Sequence, residues 1–229
     1  MAKRVIEVSE SVIKTDTSLG GFDMTVLMRH SKPLNLKFAQ YFFGIVLLLV
    51  NCCNVAYSMD IDVNGFTVTM KGSVLKGDCE RLKSAITGRK IEKVILSYSN
   101  GGDADSGYCV GALIRENGIH TAIKGKCVSS CSRMWLGGVS RVLLEGGAVG
   151  LHGNYASNGH LMAGAPERLR SWIVRFAPNV DRRLMEEWIN LPLNKHMMYF
   201  FNEKALLCDS SGCNVVKGRN VRNAGLSTK

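Results

Sequence analysis

Three short runs in mid-chain hold residue types that together could transfer an acyl group. They are Ser99-Asn100-Gly101-Gly102, Gly125-Lys126-Cys127-Val128-Ser129-Ser130-Cys131, and Gly150-Leu151-His152. A serine hydroxyl attacks a carbonyl only when a base takes its proton, and the tetrahedral intermediate then needs N–H donors aimed at its oxyanion. Ser129 sits in a small-residue turn at a helix start, where free N–H groups and the positive dipole end suit that oxyanion. Gly101-Gly102 follows an apolar stretch and has no side chain to block approach to its N–H groups. His152 closes another apolar stretch, and its imidazole has the proton affinity of a general base. Each feature also has an ordinary reading. Ser129 or Ser130 could simply cap a helix, the glycine pair could be a strand-to-helix turn needing positive φ, and the histidine could be structural. His120, His160 and His196 compete for the role of base, but none follows a strand as neatly.

The elements that must position these residues alternate quickly. Phe66 to Met70 alternates as a strand, and Asp78 caps a helix through about Ala85. Ile91 to Ser97 is a strand rich in Val and Ile, broken by Gly101-Gly102. Asp105 or Ser106 caps a helix to about Glu116, ended by Asn117-Gly118. Ile119 to Ile123 is a strand, Gly125 to Val128 a turn, and a helix with Met134, Trp135 and Leu136 starts at Ser129. Val142 to Leu144 and Ala148 to Leu151 are short strands. Pro166 to Phe176 and Val180 to Ile189 are helical, with Pro192 interrupting. Strand and helix in alternation predict a parallel α/β layer.

The 229 residues are 46% hydrophobic and 21% charged, which places the chain among globular proteins. The net charge of +10 is dispersed, without a run of five or six basic residues, and reads as solvated surface rather than a nucleic-acid interface. There is no Walker pattern and no G-x-G-x-x-G. Phe38 to Tyr57 is an apolar stretch preceded by Arg29, Lys32 and Lys37 and followed by Ala56-Tyr57-Ser58. Its hard core, Phe42 to Val50, is short for a span, and the layout is that of a signal peptide of about residues 28–58 cut after Ser58. Residues 1–27 then read as an upstream extension without fold. The alternative is a membrane anchor with a cytosolic tail, leaving the protein on the inner membrane rather than periplasmic or secreted. Residues 59–229 form one domain, with a loose basic tail from about 218. After the leader, Cys79, Cys109, Cys127, Cys131, Cys208 and Cys213 remain, an even number that suits disulfides in an oxidising compartment. The pairing stays open, with Cys208–Cys213 easiest across Asp209-Ser210-Ser211-Gly212. A metal on Cys127-x-x-x-Cys131 lacks a second ligand pair, and no cofactor is expected.

Gly101-Gly102-x4-Gly107, Gly125-x3-Ser129, Gly138 and His152, taken in order, resemble the proteolytic subunit of Clp protease and its crotonase-like relatives, over about residues 66–207. Cys127-Val128-Ser129-Ser130-Cys131 and Gly138-Val139-Ser140-Arg141 resemble an exported, uncharacterised branch of that superfamily more closely. The resemblance implies an α/β domain of repeated ββα units with a mainly parallel sheet and a C-terminal helical region. It implies Ser129 as nucleophile, His152 as base, and the N–H groups of Gly102 and Ser130 as the oxyanion hole. Ser130 competes as nucleophile but is one residue out of register with Gly138. Aligning on Phe200 puts Asn194 where the family has its aspartate. Asp181 is the alternative, and a Ser–His dyad without a third member, slow or inactive, is another. Tyr98-Ser99-Asn100 departs from the usual Ser-Pro before the glycine pair. A bridge from Cys127 or Cys131 to Cys109 would pin the nucleophile turn to the preceding helix.

The implied function is an exported serine hydrolase, most simply a peptidase, acting on a peptide or protein and assembling into a homo-oligomer. It would not engage nucleic acid, and membrane contact would come through an uncleaved leader. The alternative is a non-catalytic envelope protein that uses the fold for binding or assembly. Acyl-CoA chemistry is disfavoured, because an exported chain would not meet CoA thioesters.

Overall fold

A computed structural model of the chain describes residues 58–156, 158–191 and 196–229. The leader up to residue 57 lies outside the described residues, as does Asn194. No helix among the described residues is long and apolar enough to cross a membrane.

Among the described residues, nine strands form one sheet in the order β1-β2-β3-β4-β6-β7-β8-β9, with β5 pairing β4 beside β6. The first half runs β1 (Asp60–Asn64), β2 (Thr67–Lys71), α1 (Asp78–Ile86), β3 (Lys93–Ser99), α2 (Ala104–Glu116), β4 (His120–Val128) and α3 (Ser130–Leu136). The second runs β5 (Arg141–Leu143), β6 (Ala148–Leu151), α4 (Ala165–Phe176), α5 (Arg182–Ile189), β7 (Met197–Phe200), β8 (Ala205–Asp209) and β9 (Gly212–Val216). The α/β alternation expected from the sequence is present. β2, β3, β4 and β6 are parallel, and β5 is parallel to β4.

The sheet is parallel only at its centre. β1 and the β7–β8–β9 meander add antiparallel strands on its two flanks. The last part of the chain is therefore not only helical, as expected, but returns to the sheet after α5. Met197-Met198-Tyr199-Phe200 is too short to signal a period, and the Asp209–Gly212 turn is the one local sign of the following hairpin.

The central strand is longer than its apolar run. Gly125 to Val128 is not a turn but the upper half of β4, with Gly125 at φ 75°. The lower half, Thr121–Ile123, pairs β5, and the upper half, Lys126–Val128, pairs β6. Ser99 of β3 lies opposite Cys127, and Gly150 of β6 opposite Val128. Three parallel strands thus end at one edge, where open α/β sheets place their ligands.

α3 has all seven residues buried, so it crosses the core itself. It meets α2 through glycines. A Cβ on Gly107 would stand 2.6 Å from the Ser130 carbonyl oxygen, and one on Gly111 2.5 Å from that of Arg133. Arg115 closes the other end of α3, donating from Nε to the Gly137 carbonyl (2.7 Å) and from Nη2 to that of Gly138 (2.9 Å). These are carbonyls a helix end otherwise leaves unmatched.

The six described cysteines pair as Cys79–Cys109, Cys127–Cys131 and Cys208–Cys213. Cys208–Cys213 is the bridge expected across the hairpin turn. Cys109 does not reach the turn that holds Ser129. It ties α2 to α1, because its partner Cys79 lies on α1, which packs beside α2.

The C-terminal tail is not loose. Val221, Ala224 and Leu226 are buried, and the buried Arg141 donates from Nε to the Leu226 carbonyl (2.7 Å). Its basic residues hid a Val-x-x-Ala-x-Leu pattern that fills the core. Removing residues 219–229 is expected to cost about 3–6 kcal/mol from Val221 and Leu226 alone. Chemical denaturation followed by circular dichroism checks this, and an unchanged midpoint would contradict it.

Candidate active site

Ser129 adopts φ 59°, ψ −126°, one of two non-glycine residues described with positive φ. A strand-to-helix turn with a strained residue at its apex is how a hydroxyl is lifted clear of a sheet edge. Although Ser129 stands at the N-cap of α3, its side chain caps nothing. The ordinary capping reading therefore does not hold for Ser129. Its N–H instead donates to the Gly150 carbonyl (3.0 Å), and its carbonyl accepts from the N–H (2.9 Å) and Oγ (2.6 Å) of Ser132. Ser130 is buried, with its Oγ unpartnered. Of the two serines, Ser129 lines the cleft.

The glycine pair abuts this turn. A Cβ on Gly101 would lie 2.6 Å from Cβ of Ser129 and 3.0 Å from the Ser130 nitrogen, and Gly101 has φ 86°. Gly102 has φ 146°, and a Cβ there would stand 2.1 Å from the Val74 carbonyl oxygen. The link to Val74 uses the Gly101 carbonyl (2.9 Å) and the Asp103 N–H (2.8 Å), and the Gly102 N–H has no acceptor among the described residues. The N–H of Ser130, first in its helix, likewise has no backbone acceptor in the preceding turn. Tyr98 forms a bulge with φ 47°, and its ring lies where a side chain on Gly125 would. Ser99 Oγ accepts from the Gly101 N–H (3.2 Å) and steadies the pair.

His152 follows β6 and faces the same cleft of about 570 Å³ as Gly102 and Ser129. No hydrogen bond joins Ser129 to His152 in this structure. His152 Nδ1 is buried without a partner among the described residues. Burial, and then the Arg133 guanidinium, push its pKa down to about 4, with the Gly153 backbone opposing them.

Asp181 is engaged elsewhere. Its Oδ1 accepts from the Leu184 N–H (2.8 Å) as the cap of α5 and lies 3.9 Å from Arg219. Asn194 lies outside the described residues. Arg133 is the residue sequence reasoning missed. Fully buried in α3, it donates from Nη2 to the His152 carbonyl (2.8 Å) and to Asn154 Oδ1 (2.9 Å), and it lies over the Trp188 ring. Trp188 Nε1 donates to the same His152 carbonyl (3.0 Å). Arg133 meets no carboxylate among the described residues, and burial lowers its pKa. Its signal was available as one charged residue inside Ser-Cys-Ser-Arg-Met-Trp-Leu. On the cleft's far side Arg168 pairs with Asp105 and covers the Tyr108 ring.

No family model and no curated protein matches this chain. Solved structures do. The membrane-bound stomatin-specific protease 1510-N is 14% identical with a TM-score of 0.49, covering 73% of this chain and 80% of that one. ClpP1 from Listeria monocytogenes is 16% identical with a TM-score of 0.42, covering 54% and 78%. An enoyl-CoA hydratase from Mycobacterium avium subsp. paratuberculosis is 10% identical with a TM-score of 0.48, covering 77% and 72%. Identities this low carry nothing about the reaction.

Proposed function

We propose that this chain is a serine hydrolase, most simply a peptidase, that works through an acyl-enzyme on Ser129. The observation that carries the reading is the backbone of Ser129. A serine held at positive φ, with its hydroxyl excused from capping and two N–H groups beside it that have no backbone acceptor among the described residues, is arranged for attack on a carbonyl. In this reading His152 takes the Ser129 proton and returns it to the leaving group. The N–H groups of Gly102 and Ser130 receive the oxyanion. The Clp-type superfamily in its exported form accords with the motif order, and three disulfides accord with an oxidising compartment outside the cytoplasm. The substrate would be a peptide or protein and the assembly a homo-oligomer.

A second reading, a non-catalytic binding or assembly module, is favoured by one observation. The base has no partner on Nδ1 among the described residues and a depressed pKa, so it is a weak proton acceptor. Labelling with a fluorophosphonate separates the two. The hydrolase reading expects the oxidised wild type and Ser130→Ala to be labelled and Ser129→Ala to be inert. A folded, disulfide-intact wild type that takes no label would support the binding module.

A further inference from the structure

The Cys127–Cys131 disulfide closes a ring of backbone with Ser129 at its centre. Cys127 is fixed in β4, opposite Ser99 of β3 and Val149 of β6, and Cys131 is in the first turn of α3. Both are fully buried. A bridge restrains the unfolded chain more as its loop lengthens. Cys127–Cys131 spans a sequence separation of 4, against 30 for Cys79–Cys109, so it contributes less to global stability. What it does restrain is the backbone of Val128, Ser129 and Ser130. Ser129 is in a region where a side chain is strained, and such residues persist only where the surroundings over-determine them. The hydrogen bonds that also restrain Ser129 are one from its N–H to the Gly150 carbonyl and two to its own carbonyl, from the N–H and Oγ of Ser132, none of which bridges the turn from β4 to α3 covalently.

We propose that the Cys127–Cys131 disulfide is a positioning device that holds Ser129 in its positive-φ conformation, so that opening the bridge disarms the site while the fold survives. The effect on activity rests on Ser129 being the nucleophile; the effect on the backbone does not. Opening would follow ordinary thiol–disulfide exchange with a dithiol reductant. A reductant thiolate attacks one Sγ and the other leaves as thiolate. The reductant's second thiol then resolves the mixed disulfide, giving two cysteine thiols and an oxidised, cyclic reductant. Because both sulfurs are buried, substitution is the cleaner way to open the ring.

The test compares Cys127→Ala/Cys131→Ala with Cys79→Ala/Cys109→Ala, in otherwise intact oxidised protein, below both melting temperatures. Two quantities are read: the fluorophosphonate labelling rate per folded molecule, and the backbone chemical shifts of Ser129 and Ser130. The ring variant is expected to stay folded, to show moved shifts at both serines, and to label about 10- to 100-fold more slowly, the population cost of a disfavoured backbone region. The control is expected to lose more stability yet keep wild-type shifts and labelling. A ring variant with wild-type shifts overturns the proposal. So does one that does not fold even as Cys127→Val/Cys131→Ala, which refills volume, because the bridge would then be a determinant of the fold. A wild type that takes no label overturns the hydrolase reading instead, and the shifts still decide the role of the bridge.

Discussion

Gly137→Ala is expected to leave little folded protein. Gly137 has φ −61° and ψ −27°, which alanine adopts freely, so the whole effect is one of contact. The added Cβ would stand 2.1 Å from the Gly111 carbonyl oxygen and 2.6 Å from that residue's carbonyl carbon and Cα. Those atoms are backbone and cannot swing aside. Relief would require α2 and α3 to separate, but Arg115 reaches from α2 to the carbonyls that end α3. Because α3 is buried on every side, separation would also open the core around Met134, Trp135 and Leu136. A loss above about 4 kcal/mol, the range kept for gross overpacking, is the expected scale. Gly118→Ala is the matched control. It has φ 67° with nothing near its Cβ, and backbone preference alone costs about 1 kcal/mol. Urea unfolding of both variants checks this, and equal midpoints would refute the steric argument.

The candidate residues Gly102, Ser129 and His152, which line one cleft, were legible in the sequence because their settings are local. A glycine pair, a serine at a helix start and a histidine after a strand each follow from the residues around them. Their convergence comes from β3, β4 and β6 ending at one edge, which the Val- and Ile-rich runs announce. What stayed hidden depends on distant partners. The β7–β9 meander is made of short strands whose apolar positions acquire meaning only against β6. Val221 and Leu226 looked like part of a basic tail because their partner, Arg141, is eighty-five residues upstream of Leu226. The pairing of Cys127 with Cys131 was open because a bridge within one turn needs the backbone that Ser129 adopts, and φ is not written in residue type. Arg133 reads in the sequence as one charge in an apolar helix; the backbone and side chain that follow β6 take its Nη2, while its Nε has no partner among the described residues.

His152 gives the site an unusual acid limit. With its pKa pushed down to about 4, the ring is neutral throughout the range where an ordinary histidine titrates. Labelling at Ser129 is therefore expected to stay level from neutral pH down to about 5 and to fall only near 4, whereas an unperturbed imidazole would place the midpoint near 6.5. The same perturbation is a statement about stability. Between about 4 and 6.5 the unfolded chain protonates His152 and the folded chain does not, so the unfolded state binds more protons and stability falls as pH falls. From 6.5 down to about 4 the loss is about 3 kcal/mol. His152→Gln should lack that part of the acid sensitivity. Arg133→Met removes the neighbouring charge but not the burial, so the wild-type midpoint should move up without reaching 6.5. Denaturant titrations of the three proteins at several pH values, with the labelling profile of wild type beside Arg133→Met, check both sides. A wild-type labelling midpoint between 6 and 7 would mean that a partner on Nδ1 offsets the buried guanidinium. The weak-base argument for the binding-module reading would then fall with it.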